Sequence, residues 1–177
     1  MRFVDDDKLS FCLTVSIGIK RDELLRILGV TEELPEPQAF DNFVYDNYPP
    51  GKKGLLNVFE EYPFIATVEN SGFLGVARRT LNSIAHIPGP THYVAIYHSG
   101  DNAGHHYAEV KNGLVLANFD PLLDEAEDEM VEFFPEIGRV RRGMIDAVEQ
   151  RSGVKIHPEW LTDKTTTYVI DYRTDRN

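Results

Sequence analysis

The sequence predicts an α+β fold, a mostly antiparallel sheet built on a three-stranded meander at about residues 92–119, with helices packed around it. Two observations carry that prediction. The stretch HYVAIYHSGDNAGHHYAEVKNGLVLANFDP, His92 to Pro121, holds three consecutive runs of strand character separated by turn residues. Around it, segments with helical spacing alternate with further strands in the order β-α-loop-β-α-β-β-β-α-α-β. The 177 residues fit one α+β domain (1–177) with a long aromatic and proline-rich loop at 30–63.

Within the meander, His92 to His98 alternates β-branched and aromatic residues until Ser99-Gly100-Asp101-Asn102 interrupts it. His106 to Lys111 ends at Asn112-Gly113, a dipeptide that favours a type I′ turn because both central residues need positive φ. Leu114 to Phe119 stops at Asp120-Pro121, since proline has no N–H for a ladder.

Upstream, Phe11 to Ile17 alternates Phe11, Leu13, Val15 and Ile17 with Cys12, Thr14 and Ser16, the pattern of a half-buried strand. A short helix follows from Arg21 to Leu28, with Asp22 and Glu23 in its first turn and Gly29 as the C′ residue. Val30 to Pro63 holds five prolines and two glycines, which disfavours long regular elements. It also carries Phe40, Phe43, Tyr45, Tyr48, Phe59 and Tyr62, too many aromatics for a disordered linker. An ordered loop that packs on the domain or covers a cleft is predicted.

Phe64 to Glu69 reads as a strand, and Val76 to Ala85 as a helix ended by Pro88-Gly89-Pro90. Leu122 to Phe134 carries Leu123, Ala126, Met130 and Phe133 at helical spacing, with an opposite face of Asp124, Glu125, Glu127, Asp128, Glu129 and Glu132. A helix through Met144, Ile145 and Val148 ends near Gly153; Pro158 to Leu161 is a turn, and Thr166 to Tyr172 the last strand. The meander is expected to take the first, second and last strands at its edges, with helices over one face.

Four strings have the order and spacing of a known family. They are CLTVSIGIKRDELLRILG (Cys12–Gly29), VENSGFLG (Val68–Gly75), EVKNGLVLANFDP (Glu109–Pro121) and AVEQRSGVKIHPEWL (Ala147–Leu161). Over most of its length outside Val30–Pro63, the chain resembles a family of small actinobacterial domains filed as a domain of unknown function. The resemblance implies a fold and an origin in an actinobacterium or one of its phages, and no activity or site residue. The aromatic loop and the doublet His105-His106 depart from that family's pattern.

The single cysteine excludes an internal disulfide and suits a reducing cytoplasm. MRFVDDDKLS lacks the apolar run of a signal peptide, and no stretch reaches the ~18 apolar residues of a membrane span. A net charge of −11 opposes attraction to a phosphate backbone; it suits a basic protein partner, mimicry of nucleic acid, or plain solubility.

No P-loop, G-x-S-x-G, H-E-x-x-H or G-x-G-x-x-G is present, so no cofactor is expected, and Gly51-Lys52-Lys53-Gly54 reads as a solvated turn. His98 and His105 flank the hairpin loop and would face one another across two strands, with His92 on the face of His98 and His106 projecting away. Converging imidazoles make a zinc site or an acid–base pair, with Asp101 or Glu109 to complete or orient it; partly exposed strand-end histidines are the plainer reading. Cys12 is a candidate nucleophile or, more simply, a small core residue.

The leading expectation is a non-catalytic interaction module that binds a protein partner, in phage–host or bacterial conflict. Its expected contacts are Phe40, Phe43, Tyr45 and Tyr48 of the loop and Glu127, Asp128 and Glu129 of the acidic helix. The alternatives are a small hydrolase or nuclease-like enzyme using the histidines, with or without zinc, and a small-ligand binder with residues 30–63 as lid.

Overall fold

A computed structural model describes residues 10–40, 52–70, 72–100, 104–123 and 140–172, with the side chains of residues 140 and 141 left undescribed. The elements run β1 (Phe11–Ile17), α1 (Arg21–Ile27), β2 (Val30–Glu33), β3 (Lys53–Glu61), β4 (Phe64–Asn70), α2 (Arg78–Ala85), β5 (His92–His98), β6 (His105–Lys111), β7 (Leu114–Phe119), α3 (Val140–Ser152) and β8 (Thr166–Asp171). Short 3-10 turns occupy Leu74–Val76 and Pro158–Leu161.

The eight strands form one sheet in the order β2-β8-β3-β4-β1-β5-β6-β7, and every neighbouring pair is antiparallel. The meander is real but is one end of a larger sheet. Its turn carries Asn112 at φ 49° and Gly113 at φ 84°, the backbone that the Asn-Gly dipeptide predicts. β1 joins the meander by pairing with β5, and β4, β3, β8 and β2 extend the sheet beyond it.

Two strands were hidden in Val30–Pro63: β2 and the nine-residue β3. Gly54 is a reason β3 is hard to see. It looks like turn punctuation, yet it sits in mid-sheet, where a Cβ would lie 2.1 Å from the Tyr172 hydroxyl. Only glycine lets that ring lie across the strand.

Helices cover both faces, not one. Phe11, Leu13 and Val15 of β1 point to the face that α3 covers, where Met144, Ala147, Val148, Trp160 and Leu161 complete the core. Cys12 points to the other face, with Leu24 and Leu28 from α1 and its C-terminal turn, and Leu81 and Ile84 of α2. β1 is therefore buried on both sides rather than half-buried. Its alternate residues are small, and Thr14 shares a 2.8 Å hydrogen bond with Thr67 across the β1–β4 pair. Thr14 and Thr67 satisfy each other without water, so alternation here does not mark a solvated face.

Candidate functional site

Among the described residues, four places gather polar or aromatic chemistry, and three are closed. The first is the histidine pair. His98 and His105 occupy the last rung of the β5–β6 ladder, as their spacing predicts. Their Nδ1 atoms are 2.9 Å apart and their rings nearly parallel at 12°, with centroids 4.7 Å apart. One ring donates and the other accepts. Both are buried, at 2% and 4% exposure, and the Phe11 ring packs 5.7 Å from that of His98. The strand-end histidines are therefore not exposed. Among the described residues, no cluster of three or more His, Cys, Asp or Glu side chains forms a ligand set. Asp101 lies outside the described residues, and His106 bonds Asn118 away from the pair, at 2.5 Å.

The second is Glu109, which serves His92 rather than the pair. Its buried carboxylate accepts from His92 Nε2 at 2.8 Å, from Arg151 Nε at 2.8 Å and Nη2 at 3.1 Å, and from the Tyr107 hydroxyl at 3.2 Å. Burial alone would raise its pKa; the donors from His92 and Arg151 outweigh that and hold it at about 2. An ionised carboxylate only accepts, so Nε2 carries the His92 proton. Burial and the adjacent anion push the Tyr107 hydroxyl far up. Arg151 is the last-turn cation of α3, so this cluster fastens that helix to β5 and β6.

The third lies on the opposite face. Cys12 and Glu69 are cross-strand partners, and the 3-10 turn at Leu74–Val76 closes over both. Glu69 accepts from the Leu74 amide at 3.0 Å and faces the Tyr172 hydroxyl, while the Tyr93 hydroxyl donates to the Gly75 carbonyl at 2.7 Å. A Cβ on Gly75 would meet the Cys12 sulfur at 2.7 Å, which shows how tightly the turn seals the thiol. Burial, with the Glu69 charge second, pushes the thiol well up, so it is neither accessible nor ionised. Cys12 is a core residue. Burial also raises Glu69 to about 7, against the pull of Tyr172, the Leu74 and Gly75 amides and Arg79.

The fourth is open. The β3–β4 hairpin turns through Tyr62-Pro63, leaving Tyr62 98% exposed, the most exposed large apolar side chain among the described residues. Beside it runs a groove of two adjoining cavities, about 410 and 330 Å³, which share Glu61 and His157. Trp160 anchors its floor: it stacks on Phe59 at 5.3 Å, meets Phe64 at 6.2 Å and lies 5.8 Å from the His157 ring. The far wall is the segment after α3. Glu149 holds it by accepting from the Ile156 amide at 2.9 Å and from Lys155 Nζ at 2.7 Å.

The groove has two characters. The Trp160 half is rimmed by Glu61, Glu159, Asp163 and Lys164; the turn that brings Glu159 and Asp163 together is closed by the Asp163 amide donating to the Glu159 carbonyl at 2.7 Å. Among the described residues, these three carboxylates enter no ion pair. The Tyr62 half is lined by Ile17, Pro63, Phe64 and Val154, with Lys155 already held by Glu149.

Of the expected contact residues, Phe40 is a correction: it is 3% exposed and belongs to the core on the α3 face, so it offers no surface. Phe43, Tyr45, Tyr48, Glu127, Asp128 and Glu129 lie outside the described residues. Sequence reasoning missed Tyr62, Trp160, Glu159 and Asp163 as a group. The available signals were an aromatic residue at a hairpin tip and the only tryptophan sitting between acids. No described helix is long and apolar enough to cross a membrane. No family model matches the chain, and no curated protein or solved structure matches it.

Proposed function

We propose that this protein is an interaction module, and that the groove between the β3–β4 hairpin and the Trp160 turn receives a basic segment of a protein partner. The observation that carries this is Tyr62, an aromatic side chain 98% exposed at the lip of an apolar-floored groove. Exposed aromatics beside a packed apolar floor are what interface cores are made of. The charge of −11 and the carboxylates of Glu61, Glu159 and Asp163 favour a cationic partner and speed its encounter. The three polar clusters inside the fold are sealed and serve packing. Part of the surface, Phe59 to Pro63, falls within the 30–63 segment expected to make contacts.

The test is partner capture with surface variants. Tyr62→Ala and the pair Glu159→Lys/Asp163→Lys should each abolish capture of a partner held by the wild-type protein. Neither should alter stability by more than about 0.5 kcal/mol, because the changed side chains are exposed. Undiminished capture by both variants would remove the groove from the interface.

A second reading, a hydrolase using His98 and His105 with or without zinc, is favoured by their Nδ1 atoms lying 2.9 Å apart. Elemental analysis of untagged protein tests it. Near-stoichiometric zinc, lost in His98→Ala, would bring it forward; their burial argues against substrate access.

A further inference from the structure

We infer that the groove reads a two-part motif, a Lys or Arg side chain in the Trp160 half with an apolar or aromatic side chain close by in the Tyr62 half. This deepens the interaction-module reading and rests on it. The two halves meet at Glu61 and His157, so one short segment spans both.

Each half suits one chemistry. In the Trp160 half, Glu159 and Asp163 stand one turn apart and, with Glu61, outnumber Lys164 three to one. A cation entering there meets carboxylates that no described partner neutralises, over a floor that excludes water on one side. A carboxylate entering the same half would meet like charges, which is discrimination by repulsion as well as attraction. The Tyr62 half has only the shared Glu61 at its border, since Lys155 is matched by Glu149 and neither Glu159 nor Asp163 lines it. Phe64, Val154 and Ile17 give it an apolar floor and Tyr62 a wall, so it gains most from an apolar side chain. In an extended segment, neighbouring same-side residues stand about 6.6–6.8 Å apart, so an Arg–Gly–Phe core puts its cationic and aromatic side chains on one face.

Trp160 is the only tryptophan, so its fluorescence reports on this groove alone. The probes are fluorescein-labelled peptides of about ten residues: an Arg–Gly–Phe core in a Gly/Ser background, the same peptide with Glu for Arg, and the same with Ser for Phe. Binding is followed by Trp160 emission and peptide anisotropy. The Arg–Gly–Phe peptide should bind, and each substituted peptide should bind about tenfold or more weakly. Glu159→Lys/Asp163→Lys should invert the order of the Arg and Glu peptides, a rescue that loss of folding cannot imitate. Equal binding of all three peptides, or no binding of any, would overturn the two-part motif. If that happens while partner capture still depends on Tyr62, only the motif falls. If capture is also indifferent to Tyr62, the groove reading falls with it.

Discussion

Glu69 and Glu109 are both 1% exposed, on opposite faces of one sheet, and their surroundings drive them in opposite directions. Glu109 accepts directly from His92 and Arg151 and titrates near 2; Glu69 has backbone amides and a phenol, with Arg79 acting only through its charge, and titrates near 7. The signs for stability follow. Glu69 is raised above its unfolded value, so its stabilisation is complete below pH 4.5 and is lost as pH rises toward 7. At about 1.4 kcal/mol per pKa unit, Glu69→Gln should stabilise the protein by up to about 3 kcal/mol at pH 8 and change little at pH 4. Urea denaturation at the two pH values checks this; equal effects at both would mean that folding does not raise the Glu69 pKa. Glu109 is depressed, so its contribution is present above pH 4.5 and is lost as pH falls toward 2. Arg151→Leu leaves that carboxylate buried with fewer donors and should cost about 3–5 kcal/mol. Glu109→Leu/Arg151→Leu should cost less than the sum of the single changes, which a double-mutant cycle measures.

Among the elements, local signals were legible where the chain itself enforces them. Asn112-Gly113 fixes its turn through positive φ, and Gly29 and Gly153, both at φ 74°, stand at helix ends where sequence placed them. β3 was not legible, because Gly54 answers to a ring more than a hundred residues away. Phe40 looked like an interface aromatic and proves to be core, since exposure is decided by what packs against a residue and not by its neighbours in sequence. Phe40→Ala should therefore cost about 3–5 kcal/mol in thermal or chemical unfolding, the price of an emptied core site. A near-neutral effect would return Phe40 to the surface. Tyr62→Ala is the contrasting case, with little effect on unfolding.

For the whole molecule, the sheet gathers what the sequence scatters. The groove takes Ile17 from the end of β1, Phe59 to Phe64 from one hairpin, and Val154 to Thr165 from the stretch between α3 and β8. No local pattern links these segments; they meet because β3 lies between β4 and β8 and α3 crosses the face beneath. The histidine pair was legible because one hairpin holds both members. Placing a photoreactive benzoylphenylalanine at Tyr62, Tyr45 or Leu114, one variant each, compares the groove with the aromatic loop and with an exposed residue of β7. The most direct measurement is the yield and site of crosslinking to the partner. A groove interface predicts crosslinks from position 62 into a Lys- or Arg-bearing segment, and few from Leu114. Crosslinks from 45 or 114 with none from 62 would contradict it.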